Sequence, residues 1–212
     1  MEIDWDQERP NKKQVAKLEK KMTKDNFFQS VELIDKEHIT TFKKIININN
    51  RHGGIKFLSF KFKENKDLEW FLTRNREKEI SFFETFFKSE EFKNMSGEFI
   101  IKEGQEKNIA AKGNGGALTF DGELAKCLTI GGAYRSLTDY RMAKSIGVGV
   151  YTDLFGSRYE DISVYKPDLP EDSEGYSDIS NWFKYIDCWS FSYTVLDKGR
   201  RLIHVILITD ED

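Results

Sequence analysis

CWSFSYTVL (Cys188 to Leu196) and RLIHVILI (Arg201 to Ile208) decide the fold of this chain. The polar spacer Asp197-Lys198-Gly199-Arg200 lies between them. Two strand-forming runs around a short glycine-containing spacer read as a β-hairpin. The second run is apolar at nearly every position, interrupted by His204. A strand with no polar face predicts a central place in a sheet that is covered on both sides.

The rest of the chain supplies what such a sheet needs. IKFLSFKFK (Ile55 to Lys63) alternates Ile and Phe with Lys and Ser, the period of a strand. ISVYK (Ile162 to Lys166) is a further short strand. GEFIIK (Gly97 to Lys102) and KNIAAK (Lys107 to Lys112) are expected to pair across the turn Glu103-Gly104-Gln105-Glu106. Helical spacing of apolar residues appears near 9–24, 65–87, 120–130 and 138–155, with a short turn begun by Ser89 and anchored by Phe92. Gly147 and Gly149 fall inside the 138–155 helix. Each costs about 1 kcal/mol relative to Ala, so they predict close packing against a neighbour or a break. Residues 36–50 fit two patterns. Ile39, Phe42, Ile45 and Ile46 share a helical face, with Asp35 as cap and Gly53-Gly54 as stop. Lys44-Ile46-Ile48 alternates like a strand leading to a turn at Arg51-His52-Gly53-Gly54. The helix fits better. Helices mixed with hairpins predict one α+β domain, mainly antiparallel, with a central C-terminal β-hairpin packed by helices. Residues 1–25 read as a basic N-terminal arm or helix and 26–212 as the domain proper.

Composition narrows the function classes. The chain has 212 residues, 33 basic and 36 acidic, and a net charge of -3. Its 17 Phe, 8 Tyr and 4 Trp exclude a disordered chain. Cys127 and Cys188 are too few for a disulfide framework. The start, Met1 to Asp6, is acidic and has no apolar run, so no secretory leader is expected. The apolar stretch Leu202 to Ile208 is far shorter than the ~20 residues of a membrane span. A cytosolic protein with reduced thiols and no membrane partner is therefore expected. Richness in Lys, Ile, Asn and Phe matches an AT-rich, bacterial coding bias. Lysine outnumbers arginine, 24 to 9, and the basic segment 9–24 lacks interleaved aromatics, which makes nucleic acid an unlikely partner.

Patterns of catalytic chemistry are sparse. His38, His52 and His204 sit in no metal-ligand spacing, and no cofactor motif is present. No G-x-S-x-G occurs. Cys127 lies among Leu124, Leu128 and Ile130 and reads as a buried apolar side chain. Cys188 follows Asp187, whose charge opposes thiolate formation. Pairing of Cys188 with His204 across the hairpin would be needed for a Cys-His enzyme. Lys112-Gly113-Asn114-Gly115-Gly116 lacks P-loop spacing, and Asp121 and Glu123 follow it, so it reads as a structural turn. Asp187 at one strand end and Asp210, Glu211 and Asp212 at the next form a carboxylate group that could hold a divalent cation in a hydrolase or nuclease. The E-x-K triplet Glu91-Phe92-Lys93 falls on a helix, the wrong context for such a nuclease.

Charge and aromatic patterning point elsewhere. Residues 1–63 hold 14 basic and 9 acidic side chains, whereas 160–212 hold 5 and 12. Asp168, Glu171, Asp172, Glu174 and Asp178 lie in a polar loop without a basic residue, and Tyr159, Tyr165, Tyr176, Trp182, Tyr185 and Trp189 surround it. Acids with Tyr and Trp have the makeup of a protein-binding surface. The expected binding residues are Glu171, Asp172, Glu174, Tyr176, Asp178, Trp182 and Tyr185. The expected partner is a basic protein, as for a toxin-neutralising protein.

Overall fold

The structure, a computed structural model, describes residues 4–24, 26–33, 36–113, 116–169, 175–183 and 189–211. Among the described residues, six strands form one antiparallel sheet: β1 (Phe28–Ser30), β2 (Gly54–Phe62), β3 (Lys112–Gly113), β4 (Ile162–Lys166), β5 (Phe191–Asp197) and β6 (Leu202–Thr209). Their spatial order is β1-β2-β6-β5-β4-β3, which puts the C-terminal hairpin in the middle as its sequence predicts. β6 pairs with β2 from Leu202–Lys61 to Thr209–Gly54, and with β5 from Leu202–Asp197 to Ile208–Phe191.

Seven α-helices among the described residues cover both faces: α1 (Lys12–Met22), α2 (Glu37–Asn49), α3 (Lys66–Thr73), α4 (Phe82–Lys88), α5 (Glu90–Ser96), α6 (Ala117–Ile130) and α7 (Tyr140–Phe155). Ile203, Val205 and Leu207 of β6 join one core with apolar residues of α1, α3, α4 and α5. Ile206 and Ile208 join the other, under α2, α6 and α7. This double burial is why the β6 sequence shows no polar face. The first core is built on phenylalanines. Phe86 meets Phe60, Phe28 and Phe92 at centroid distances of 5.0, 5.2 and 5.2 Å. Such aromatic pairs are worth about 0.5–1.5 kcal/mol each beyond their area burial.

The basic N-terminal segment is a docked helix. Asn11 caps α1 in a reciprocal box with Gln14, while Leu18 and Met22 are buried in the first core. Residues 37–49 are helical, with Ile39, Phe42 and Ile46 buried. The expected cap, Asp35, lies outside the described residues. The amides of His38 and Ile39 are met by the Asp153 carboxylate of α7, at 2.9 and 3.2 Å. α7 runs unbroken through its glycines. A Cβ at Gly147 would lie 2.3 Å from the Asp121 carbonyl of α6, and one at Gly149 would lie 2.1 Å from the His38 ring. Close packing, not a helix break, explains both residues.

One expected hairpin is absent. Residues 97–102 make a single bridge, Ile101 to Ser180, with the Lys102 amide donating to the Ile179 carbonyl at 2.7 Å. Of residues 107–112 only Lys112 enters a strand, and it pairs with β4. Phe99, Ile109 and Ala110 are buried in the first core instead. Their apolar burial, which the strand-like pattern foretold, is achieved by loops folded onto the sheet. The hairpin turn also differs in detail. Its left-handed residue is Arg201 (φ 57°), not Gly199. Gly199 serves a close approach, since a Cβ there would lie 2.9 Å from Arg158 and 3.0 Å from Asp161. No helix among the described residues is long and apolar enough to cross a membrane.

Candidate functional site

β2 begins and β6 ends side by side, and the polar residues of interest gather at that end of the sheet. Gly53 passes so close to β6 that a Cβ would lie 1.9 Å from the Thr209 carbonyl oxygen. Just beyond β6 the Asp210 side chain is fully buried. Its Oδ1 accepts from the His52 amide and its Oδ2 from the Ala133 amide, both at 2.9 Å. A Cβ at Gly132 would lie 2.2 Å from that Oδ2. The Gly53-Gly54 and Gly131-Gly132 turns are thus lashed to the end of β6 by one carboxylate. Asn50 Nδ2 adds a bond to the Thr209 carbonyl at 3.1 Å.

A cavity of about 270 Å³ opens beside this knot, lined by His52, Gly53, Glu98, Asn181, Trp182 and Thr209. Trp182 forms its aromatic wall. The half-buried indole packs against Phe99 and Phe183 at centroid distances of 6.1 and 5.5 Å, so its position is set by the first core. The ammonium of Lys56, on β2, lies 5.6 Å from the indole centroid, a cation–π contact. Glu98 is exposed at the cavity wall. An aromatic face, a carboxylate and an amide in one recess are the groups that recognise a guanidinium or ammonium.

The sequence-predicted binding residues divide as follows. Trp182 lines the cavity. Tyr176 and Asp178 sit in a short 3-10 turn (Tyr176–Asp178), where the Tyr176 ring packs on Phe183 at 5.1 Å as part of the core margin. Glu171, Asp172, Glu174 and Tyr185 lie outside the described residues, as do Asp187, Cys188 and Asp212. His52, Lys56, Glu98 and Asn181 were not anticipated. They come from separate segments, and only the folded chain brings them to Trp182.

The remaining candidates are occupied by structural work. Among the described residues no group of three or more His, Cys, Asp and Glu side chains is placed to hold a metal. Asp197 lies at the far end of β5, fully buried, and Arg158 engages both its oxygens. His204 is buried with Nδ1 2.7 Å from Ser59 Oγ, and burial pushes its pKa down to about 4. Burial pushes the Cys127 thiol up to about 12, and its Sγ lies 3.7 Å from the Tyr193 hydroxyl. That hydroxyl donates to Glu123, which pairs with Lys166, both at 2.9 Å. Glu91, on α5, accepts from the Ser30 amide at 2.7 Å and so covers the open edge of β1. A wider groove of about 620 Å³ runs between the end of α1 and helices α4 and α5, past Glu19, Lys24, Glu84, Lys88, Glu90 and Glu91. Its charges are partly matched internally, as in Lys88–Glu84 at 2.6 Å. No protein-family model, curated protein or solved structure matches this chain.

Proposed function

We propose that this chain is a non-enzymatic, cytosolic interaction protein. It binds a basic protein partner through its acidic, aromatic C-terminal surface, as a toxin-neutralising protein does. The observation that carries the reading is the Trp182 cavity, where an indole fixed by the core stands beside Glu98 and Asn181. Its volume of about 270 Å³ falls just under the ~300–1,000 Å³ of small-molecule sites and suits one long cationic side chain. The indole already carries the chain's own cation, Lys56. The acids at 168–178 add to the negative charge of the C-terminal part of the sequence, which attracts a basic partner at long range. The competing reading, a metal-dependent hydrolase built on the carboxylates at the hairpin end, would need Asp210 as a ligand, and both its oxygens already accept backbone amides.

The test is kinetic. A partner captured on the immobilised chain is purified, and its association and dissociation are measured against variants. Reversal of Glu171, Asp172 and Glu174 to Lys should slow association and flatten its salt dependence, because long-range charge attraction acts on encounter. Trp182→Ala and Glu98→Lys should instead speed dissociation, each by roughly tenfold or more if the cavity holds an anchor. Glu98 is exposed, so its variant reads binding even where Trp182→Ala loosens the core. Parent-like kinetics in all three variants would refute the assignment of this face.

A further inference from the structure

We infer that the corner between the N-terminal segment and α3 is a site for a nucleoside monophosphate: the guanidiniums gathered on Trp70 take the phosphate, and the exposed Trp5 indole takes the base. None of these residues lines the Trp182 cavity, and the inference stands apart from the partner-binding reading.

Three guanidiniums share one indole. The Cζ atoms of Arg74, Arg76 and Arg9 lie 4.8, 5.3 and 5.7 Å from the Trp70 ring centroid. Each cation–π contact is favourable, but like charges brought to one ring repel one another. Among the described residues one carboxylate joins them: Glu79 accepts from Arg9 Nη2 at 2.8 Å and from Arg76 Nε. Arg74 meets only uncharged oxygens, the carbonyls of Asp4 and Trp70 at 2.7 and 3.4 Å and the Thr73 hydroxyl at 3.2 Å. Three cations against one anion leave the cluster with an excess of positive charge. Both terminal nitrogens of Arg76, and Nη1 of Arg9, have no acceptor among the described residues. Glu79 and the indole already hold these side chains in place, so donors are preorganised for an oxyanion such as a phosphate ester.

Charge and an exposed ring select the occupant. Elsewhere on residues 4–13 and 66–79 stand the acids Asp4, Asp6, Glu8, Asp67, Glu69 and Glu77 and the bases Lys12, Lys13, Lys66 and Lys78. Glu69 is paired with Arg201 at 3.4 Å, and Glu77 is buried and accepts from the Tyr165 hydroxyl. The other four acids and the four lysines balance, so the excess is local to the guanidiniums. A small anion gains from it by contact, whereas a long polyanion finds no extended positive field here. Trp5 is 78% exposed, and its ring centroid lies 5.8 Å from the Arg74 Cζ. An indole left in water beside a guanidinium offers a base a stacking partner. The basic segment 9–24 has no interleaved aromatics of its own, yet α3 brings Trp70 to Arg9.

The probes are adenosine monophosphate, adenosine and inorganic phosphate, titrated to millimolar concentration at constant ionic strength. Binding is followed through the Trp5 and Trp70 indole resonances of nitrogen-labelled protein. Adenosine monophosphate should shift both resonances and bind several-fold more tightly than adenosine or phosphate. Arg76→Gln should weaken adenosine monophosphate and phosphate alike, by roughly tenfold, the effect of losing hydrogen bonds to a charged group. Trp5→Ala should weaken adenosine monophosphate by roughly fivefold or more and leave phosphate binding as in the parent, the effect of losing one stacked base. Trp5 lies in water and the Arg76 side chain is 39% exposed, so neither variant opens the core. Equal affinity for adenosine monophosphate and phosphate, or parent-like affinity for adenosine monophosphate in either variant, would overturn the inference. Tighter binding of a short oligoadenylate than of adenosine monophosphate would overturn it in favour of a nucleic-acid strand. Unshifted indole resonances at millimolar adenosine monophosphate would overturn it outright.

Discussion

The ammonium of Lys56 lies 5.6 Å from the centroid of the Trp182 indole, so the chain places its own cation on the aromatic wall of its candidate cavity. Lys56 and Trp182 come from opposite ends of the sequence, one on β2 and one after the 3-10 turn at 176–178. A partner's arginine entering beside Glu98 must share or displace that contact. Removing the Lys56 charge while keeping its apolar stem, as in Lys56→Met, should therefore strengthen binding of an arginine peptide, by several-fold for a partly exposed cation–π contact of about 0.5–1 kcal/mol. The gain should shrink at high salt, because like-charge repulsion between Lys56 and the ligand is screened. Titration of parent and variant at two salt concentrations checks this, and unchanged affinity would mean that the ligand does not approach the Trp182 ring.

Asp210 should behave as a structural residue. Asp210→Ala leaves the His52 and Ala133 amides without their acceptor, at a cost of about 2–3 kcal/mol. For a chain of this size that corresponds to a fall in Tm of roughly 5–10 °C. Asp210 is fully buried as well as bonded to two amides, so millimolar Mg²⁺ or Mn²⁺ should not raise the Tm of the parent. Thermal unfolding with and without metal decides the matter. A metal-dependent rise that Asp210→Asn abolishes would restore the carboxylate-hydrolase reading.

What was legible in the sequence and what was not follow a physical line. β6 and α7 declared themselves because local periodicity encodes which faces are buried, and Ile203 to Ile208 are buried on both. The absent hairpin at 97–112 failed for the same reason: Phe99, Ile109 and Ala110 have strand-like patterning, but burial alone does not specify a ladder. Polar contacts between distant segments leave no local trace. Asp153 reaches across 115 residues to the start of α2, and Asp210 across 158 to His52. Trp182 was legible as an aromatic near acids, whereas Glu98 looked like any exposed strand residue, and only the folded chain sets it beside the indole.

Gly147 offers a test of the helical layer. In an exposed helix interior Gly→Ala stabilises by about 1 kcal/mol. Here the added methyl would lie 2.3 Å from the Asp121 carbonyl, backbone that cannot swing aside. Gly147→Ala should therefore destabilise, by about 1–3 kcal/mol as for other overpacked sites. Denaturant unfolding checks the sign. A stabilised variant would show that α6 and α7 sit further apart than in this packing.

His204 predicts a pH dependence with a definite sign. Burial lowers its pKa to about 4, against about 6.5 for an imidazole in an unfolded chain. The folded state therefore holds His204 neutral, while the unfolded state binds a proton as pH falls below about 6.5. Stability from this residue is complete above that pH, declines as pH drops, and levels off below about 4, where the folded form protonates as well. The gap corresponds to roughly 3 kcal/mol at its limit. Within the fold, Nδ1 faces Ser59 Oγ at 2.7 Å and the ring meets Phe155 edge-on at 5.7 Å, and burial outweighs the Asp197 carboxylate, which favours the charged ring, with Arg200 opposing it. His204→Gln keeps a polar side chain at this position and removes the titration. Urea midpoints measured from pH 7 to pH 4 should fall more steeply for the parent than for the variant, with the difference concentrated between about pH 6.5 and 4. Parallel curves would show that His204 titrates alike in the folded and unfolded chain and would overturn this account of its burial.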